Sequence, residues 1–191
     1  MAERLPGFRG EYLWEWDVPD HHLRAVVEAI PAERFGWRPA DDARSVSEVL
    51  VHIAAGNVML LDMVGVTEPL QPYAAVETQG TERFITVVVK IHDMEKTVTG
   101  KAEVVAMLNA SLEAVRTAFT RATDADLERV WEFFGEQTTV RRVYMRILAH
   151  THEHMGQLIA YTRMMGSKAP WPDPMDEVRA MMRNPRASTP A

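Results

Sequence analysis

The stretch Ala149–Gln157, AHTHEHMGQ, holds three of the chain's seven histidines on alternate positions. On a helix, residues four apart lie about 40° from each other around the axis, and residues two apart about 200°. His150 and His154 therefore share a face, and His152 points the other way, as a solvated residue beside Arg142, Gly156 and Arg163. His150 and His154 sit inside the apolar stripe Val143, Ile147, Leu158, Tyr161 and Met165. Two neutral imidazoles can each be satisfied in a core, so this pair alone leaves two readings open, core residues or shared metal ligands. A third histidine favours the metal. His52 lies within a second apolar stripe, Val49, Ile53, Gly56, Met59 and Met63, that must face the same interior. Three histidines from two helices, with a fourth position open, is the ligand count of a catalytic zinc-type site. An all-nitrogen set suits Zn, Ni, Co or Fe(II) rather than Mg or Ca.

Other catalytic patterns are missing. Residues 152–156 read HEHMG, which lacks the second histidine of HExxH. No Glu-x-x-His pair of a di-iron bundle is present, and no G-x-S-x-G, P-loop or Rossmann glycine pattern. Glu48 and Glu153 fall toward the flanks of the ligand helices. His92 reads as a surface residue of a long connection, and His21 and His22 as ordinary helix residues. The chain has no cysteine, which excludes disulfides, thiolate ligands and a cysteine nucleophile. Any thiol chemistry must use an external thiol.

The elements that position these residues are helical. At 191 residues the chain reads as one domain, residues 1–191, able to bury a core without staples. Apolar residues are 47% and charged residues 25%, as in an ordinary globular protein. A net charge of -6 and the absence of any basic run beyond Arg141-Arg142 argue against nucleic acid as partner. No secretory signal and no run of about 18 apolar residues is evident, so neither export nor a membrane span is expected, and the cytoplasm is the expected location. The 12 methionines read mainly as core filler.

A first helix is predicted over 8–30, kinked or restarted at Pro19. A loop follows over 35–44. The second helix begins at the capping box Ser45–Glu48 and runs to about Val66. Residues 67–100 form a long connection with Pro69, Pro72, Gly80 and Gly100, in which RFITVVVKIH (83–92) fits a short strand or a short helix. The third helix covers 101–121, with Val104, Val105, Leu108, Leu112, Val115 and Phe119 as its stripe. Thr123–Asp126 caps one or two further turns through Leu127 and Val130. The fourth long helix runs from about Thr138 to Met165 and stops at Gly166, ahead of Pro170. A short helix over 174–183 and a disordered tail over 184–191 complete the expectation. Four long amphipathic helices with one long crossover predict an all-α four-helix bundle.

Several stretches together resemble the DinB/YfiT-like superfamily of metal-dependent four-helix bundle proteins. They are Trp37-Arg38-Pro39 with the capped SVSEVLVHIAAGN (45–57), the pattern H-x-x-x-H-x-G-Q at His150, His154, Gly156 and Gln157, and the ending LIAYTRMMG (158–166) before Pro170. The chain departs from the family in carrying Pro19 within the first helix region. The resemblance implies an up-down-down-up bundle, which accounts for the crossover between the second and third helices. It implies a zinc or nickel ion on His52, His150 and His154, and a homodimer. Relatives of known activity are transferases and isomerases that use low-molecular-weight thiols. The expected function is therefore activation of a small thiol or water toward a small electrophilic substrate, as a thiol-dependent transferase or isomerase, or a hydrolase. Gln157 is a candidate partner for a ligand or a metal-bound group, or else a core amide. Tyr161 reads as packing, and Trp37 as either a pocket-mouth residue or a loop anchor. The alternatives are a non-catalytic, metal-stabilised dimeric binding or stress-response protein, and a metal-free bundle that binds an apolar ligand.

Overall fold

The computed structural model describes residues 6–66 and 80–183; the expected tail over 184–191, and Pro69 and Pro72 of the crossover, lie outside them. The chain is mainly helical: α1 (Gly7–Ala29), a 3-10 turn (Ala32–Arg34), α2 (Val46–Met63), α3 (Gly80–Thr97), α4 (Lys101–Arg121) and α5 (Asp124–Glu128) come first. A hairpin of β1 (Val130–Phe133) and β2 (Glu136–Thr139) then leads into α6 (Val140–Met164) and α7 (Pro174–Arg183).

α2 is the central element. It packs against α3, α4 and α6, while α1 packs against α4 and α6. Its start follows from its sequence: Ser45 Oγ accepts from the Glu48 backbone N–H, and the Glu48 carboxylate accepts from the Ser45 N–H. The loop before it closes on the same end, where the Val46 and Ser47 N–H groups donate to the Trp37 and Phe35 carbonyls. Arg38 and Lys96 both pair with the buried Glu48, so its charge is compensated.

α2 also corrects an expectation. By length and hydropathy it is apolar enough to cross a membrane, yet 78% of it is buried inside the protein. A helix apolar nearly all round is what the centre of a bundle requires. Asn57, fully buried within it, is the polar tie between three helices. Its Nδ2 donates to Ser111 Oγ on α4, and its Oδ1 accepts from Thr151 Oγ1 on α6.

Residue pairs give the helix directions. Phe8 and Tyr12 at the start of α1 meet Phe119 near the end of α4, and Lys101 at the start of α4 reaches the Ile30 carbonyl, so α1 and α4 run oppositely. His52 meets His154 and Asn57 meets Thr151, so α2 and α6 also run oppositely. Asp62 pairs with Arg83 and His52 with Glu95, which sets α3 against α2 in the same sense.

Two open readings resolve and one expectation changes. α1 is one helix through Pro19, not two, although proline removes the N–H that would serve the Glu15 carbonyl; Pro19 lies on its buried face with Trp16 and Leu23. The segment 83–92 is part of a helix, because Val87 and Ile91, one turn apart, pack on Ala55 of α2. The turns expected through Val130, and the start of the last long helix at Thr138, give way to the hairpin, with Val130 opposite Thr139 and Phe133 opposite Glu136. α4 matches its predicted range, and Thr123 and Asp126 form a full capping box on α5.

Candidate metal centre

His52 of α2 and His150 and His154 of α6 converge where the two helices face each other. Their ring centroids lie 4.6–5.0 Å apart, and one nitrogen from each falls within 4.8 Å of the others. Among the described residues no other group of His, Asp or Glu side chains converges in this way. The Nε2 atoms of His52 and His150 are 3.1 Å apart. Two ligands at about 2.0–2.1 Å from a tetrahedral ion would sit about 3.3–3.4 Å apart, so this spacing is close to that of a metal-bound pair.

The close approach depends on Gly56. A Cβ there would stand 2.7 Å from His150 Cε1, closer than real contacts allow. Glycine lets the imidazole lie directly on the α2 backbone.

Partners behind the rings select their tautomers. His52 Nδ1 is 2.7 Å from Glu95 Oε1 on α3. A carboxylate only accepts, so Nδ1 carries the proton and Nε2 presents a lone pair. Burial pushes the Glu95 carboxyl up, but hydrogen bonds from His52 and Arg44 and the Arg44 charge outweigh it and leave the carboxyl below its ordinary range. Gln157 serves His154 likewise: its Nε2 donates to the Tyr161 hydroxyl, so its Oε1 is the atom 2.9 Å from His154 Nδ1 and accepts that proton. Burial, with His154 and His52 nearby, pushes His150 down to about 3. Burial also lowers His154, although the Gln157 hydrogen bond opposes it. Both are neutral at pH 7, as metal ligands must be.

The donor set fits a divalent transition metal. Three imidazoles bring one nitrogen each to one point, and two of them, His52 and His154, carry hydrogen-bonded outer partners.

The group opens into a cavity of about 470 Å³, within the range of roughly 300–1,000 Å³ usual for small-molecule sites. Met59, Leu60, Val88, Ile91 and Phe134 give it an apolar wall, and Arg44, His92, Glu95 and Arg146 a polar one. A larger cavity of about 520 Å³ lies beyond the other end of α2, near Val64, Ala118 and Tyr144, away from the histidines.

The other expected residues fall as follows. Gln157 stands behind His154 and does not line the cavity, so it orients the ring rather than meeting a ligand. Tyr161 is buried as a packing residue, and Trp37 rests edge-on against it at 5.4 Å, a loop anchor rather than a pocket-mouth residue. His152 is only partly solvated: its Nε2 is buried 3.8 Å from Glu15 on α1, facing away from the metal group. His22 stacks on Trp171. His92 is exposed, as expected, but lines the cavity. Glu153 is an outer residue that clamps Arg146.

Sequence reasoning missed Glu95 and Arg44. A signal existed: Glu95 continues the stripe Val87–Ile91 at four-residue spacing, and a glutamate on a buried stripe asks for a partner.

Residues 18–158 match the DinB superfamily, and the chain belongs to it. Among solved structures it is similar to a DinB-like protein from Bacillus subtilis, with 16% identity, 84% of this chain and 96% of the other covered, and a TM-score of 0.60. A DinB-like protein from Bacillus cereus is similar at 20% identity, with 87% and 97% covered and a TM-score of 0.55. These likenesses establish the fold. No functionally curated protein matches the sequence.

Proposed function

We propose that this chain is a metal-dependent enzyme of the DinB class, in which His52, His150 and His154 hold one zinc or nickel ion and leave a position open toward the cavity. The observation that carries this reading is the convergence of three imidazoles beside a cavity, with His52 and His154 oriented from behind by Glu95 and Gln157. A divalent ion so held supplies the acidity that makes a nucleophile of a water or a small thiol near neutral pH.

The chain's own residues do the rest. Glu95 fixes the His52 tautomer and raises its basicity, and Arg44 keeps Glu95 ionised. Met59, Ile91 and Phe134 keep one side of the cavity apolar, which strengthens electrostatic interactions within it. With no cysteine present, a thiol nucleophile must come from solution. The reaction class is transfer or isomerisation of a small electrophile with an external thiol, or hydrolysis. The opposed helix pairs support an up-down-down-up order for α1, α2, α4 and α6, with α3 placed in the long connection. The same reading makes the protein a homodimer of the cytoplasm, where low-molecular-weight thiols are plentiful.

Elemental analysis of the purified chain beside His52→Ala and His154→Ala tests the site. About one transition metal per chain, lost in both variants, is expected. Azide or a thiol should then perturb the visible spectrum of a cobalt-substituted sample. Metal that binds but ignores both would mark a closed, structural site in a non-catalytic protein, and no metal uptake after loading would sink the enzyme reading.

A further inference from the structure

The tip of the β1–β2 hairpin breaks a local rule. Phe133 pairs with Glu136, so Phe134 and Gly135 form a two-residue loop, and both have positive φ, 52° and 82°. Such loops select Asn, Asp or Gly at the first position, because other side chains crowd the backbone in that conformation. Phenylalanine suits neither the turn nor the water around it, since Phe134 is 62% exposed. Strain of this kind, where it persists, points to function. The ring stands at the cavity of the three histidines, supported by Phe84 of α3 at 5.5 Å and by Phe133 at 4.5 Å. Met59 and Ile91 continue the same apolar wall.

The polar wall carries two arginines, each paired with one glutamate. Arg44 and Arg146 both line it. Glu95 is the one carboxylate among the described lining residues, and its two oxygens already serve His52 and Arg44. Arg44 engages only its Nε, so among the described residues its two terminal nitrogens have no partner. Arg146 gives both terminal nitrogens to Glu153, which leaves Arg44 as the arginine with terminal donors to offer.

We infer that the cavity takes small organic acids, with the carboxylate on the terminal nitrogens of Arg44 and an apolar or aromatic body against Phe134, Ile91 and Met59. The planar guanidinium fork matches a carboxylate in geometry and charge. An uncharged molecule of the same shape gains the wall but loses the fork. This names the substrate class of the reaction proposed above and rests on that reading for its chemistry, but the two walls belong to the chain itself.

The test is calorimetric titration of the full chain, zinc-loaded and chelated, with phenylbutyrate and with its uncharged analogue phenylbutyramide. Wild type is compared with Arg44→Gln and Phe134→Asn, and metal content is measured for each. Wild type is expected to bind the acid at least about tenfold more tightly than the amide, in both metal states. Arg44→Gln should abolish that preference. Phe134→Asn should weaken both ligands while raising the melting temperature, since asparagine suits the turn, and a purely structural Phe134 would not show this opposition. Equal affinity for acid and amide in wild type would overturn the inference, as would a Phe134→Asn chain that binds the acid as tightly as wild type. A chain that takes up no metal yet still prefers the acid would sink the enzyme reading and leave this inference standing. One metal per chain without the preference would do the reverse.

Discussion

α6 serves two neighbourhoods, and they follow different rules. In its first half Tyr144 joins Tyr12 and Phe119, with Tyr12 stacked on Phe119 at 3.9 Å and the Tyr12 hydroxyl donating to the Tyr144 carbonyl. Burial pushes both phenols up, Tyr144 to about 12, so neither ionises near neutral pH. Trp16 beside them leaves its Nε1 unpaired. That omission costs about 1–3 kcal/mol. An indole that buries roughly 150–250 Å² at about 25 cal/mol/Å² returns roughly 4–6 kcal/mol, so apolar burial wins.

Two turns further on, His150 also leaves a buried nitrogen unpaired. Its small ring buries far less apolar surface, and its neighbours are two more imidazoles. Packing explains the aromatic cluster. The histidine cluster gains no comparable burial, and its three rings instead bring one nitrogen each within 4.8 Å of one another.

The largest expected effect sharpens that contrast. Phe119→Ala should lower stability by about 3–5 kcal/mol in urea unfolding, by removing a fully buried ring, while metal content per folded chain stays unchanged. Metal loss in that variant would show that the two neighbourhoods are one cooperative unit.

Chelation should act on the other side alone. With free metal near 100 times its dissociation constant, removing it should lower the stability of wild type by about 2.7 kcal/mol, and that of His150→Ala not at all. An equal loss in both would place the bound metal elsewhere.

Glu95→Gln should weaken metal binding about 10- to 100-fold in competition with a chromophoric chelator, because His52 loses a charged partner. Unchanged affinity would mean that packing alone orients His52.

The smallest effect concerns Glu48, at the start of α2. Burial raises its carboxyl, but Lys96, the Ser45 N–H and Arg38 outweigh this and lower it overall. A lowered folded pKa gives stability that is present above the unfolded value, near pH 4.3, and is lost as pH falls through the folded value. Glu48→Gln should therefore trail wild type at neutral pH and converge with it in acid. Parallel stability curves down to low pH would remove Glu48 from the account.

What the chain wrote locally could be read locally. The spacing of His150 and His154, their place on an apolar stripe, the matching stripe around His52, the capping boxes at Ser45 and Thr123 and the range of α4 all follow from helical periodicity and end signals over a few residues. The superfamily was legible from the ordered set of those short patterns.

Tertiary contact decided the rest. The run around Ile85–Val89 is β-branched enough to suit a strand, and it is helical because Val87 and Ile91 bury against α2. The hairpin escaped notice because its strands are four residues each and its turn begins with Phe134 rather than a turn former. α2 read by itself could have been a membrane span, and three neighbouring helices make it a core element. Glu95 meets His52 across 43 residues of chain. No local pattern pairs them, because the distance that matters is the spacing between packed helices, and that exists only once the chain has folded.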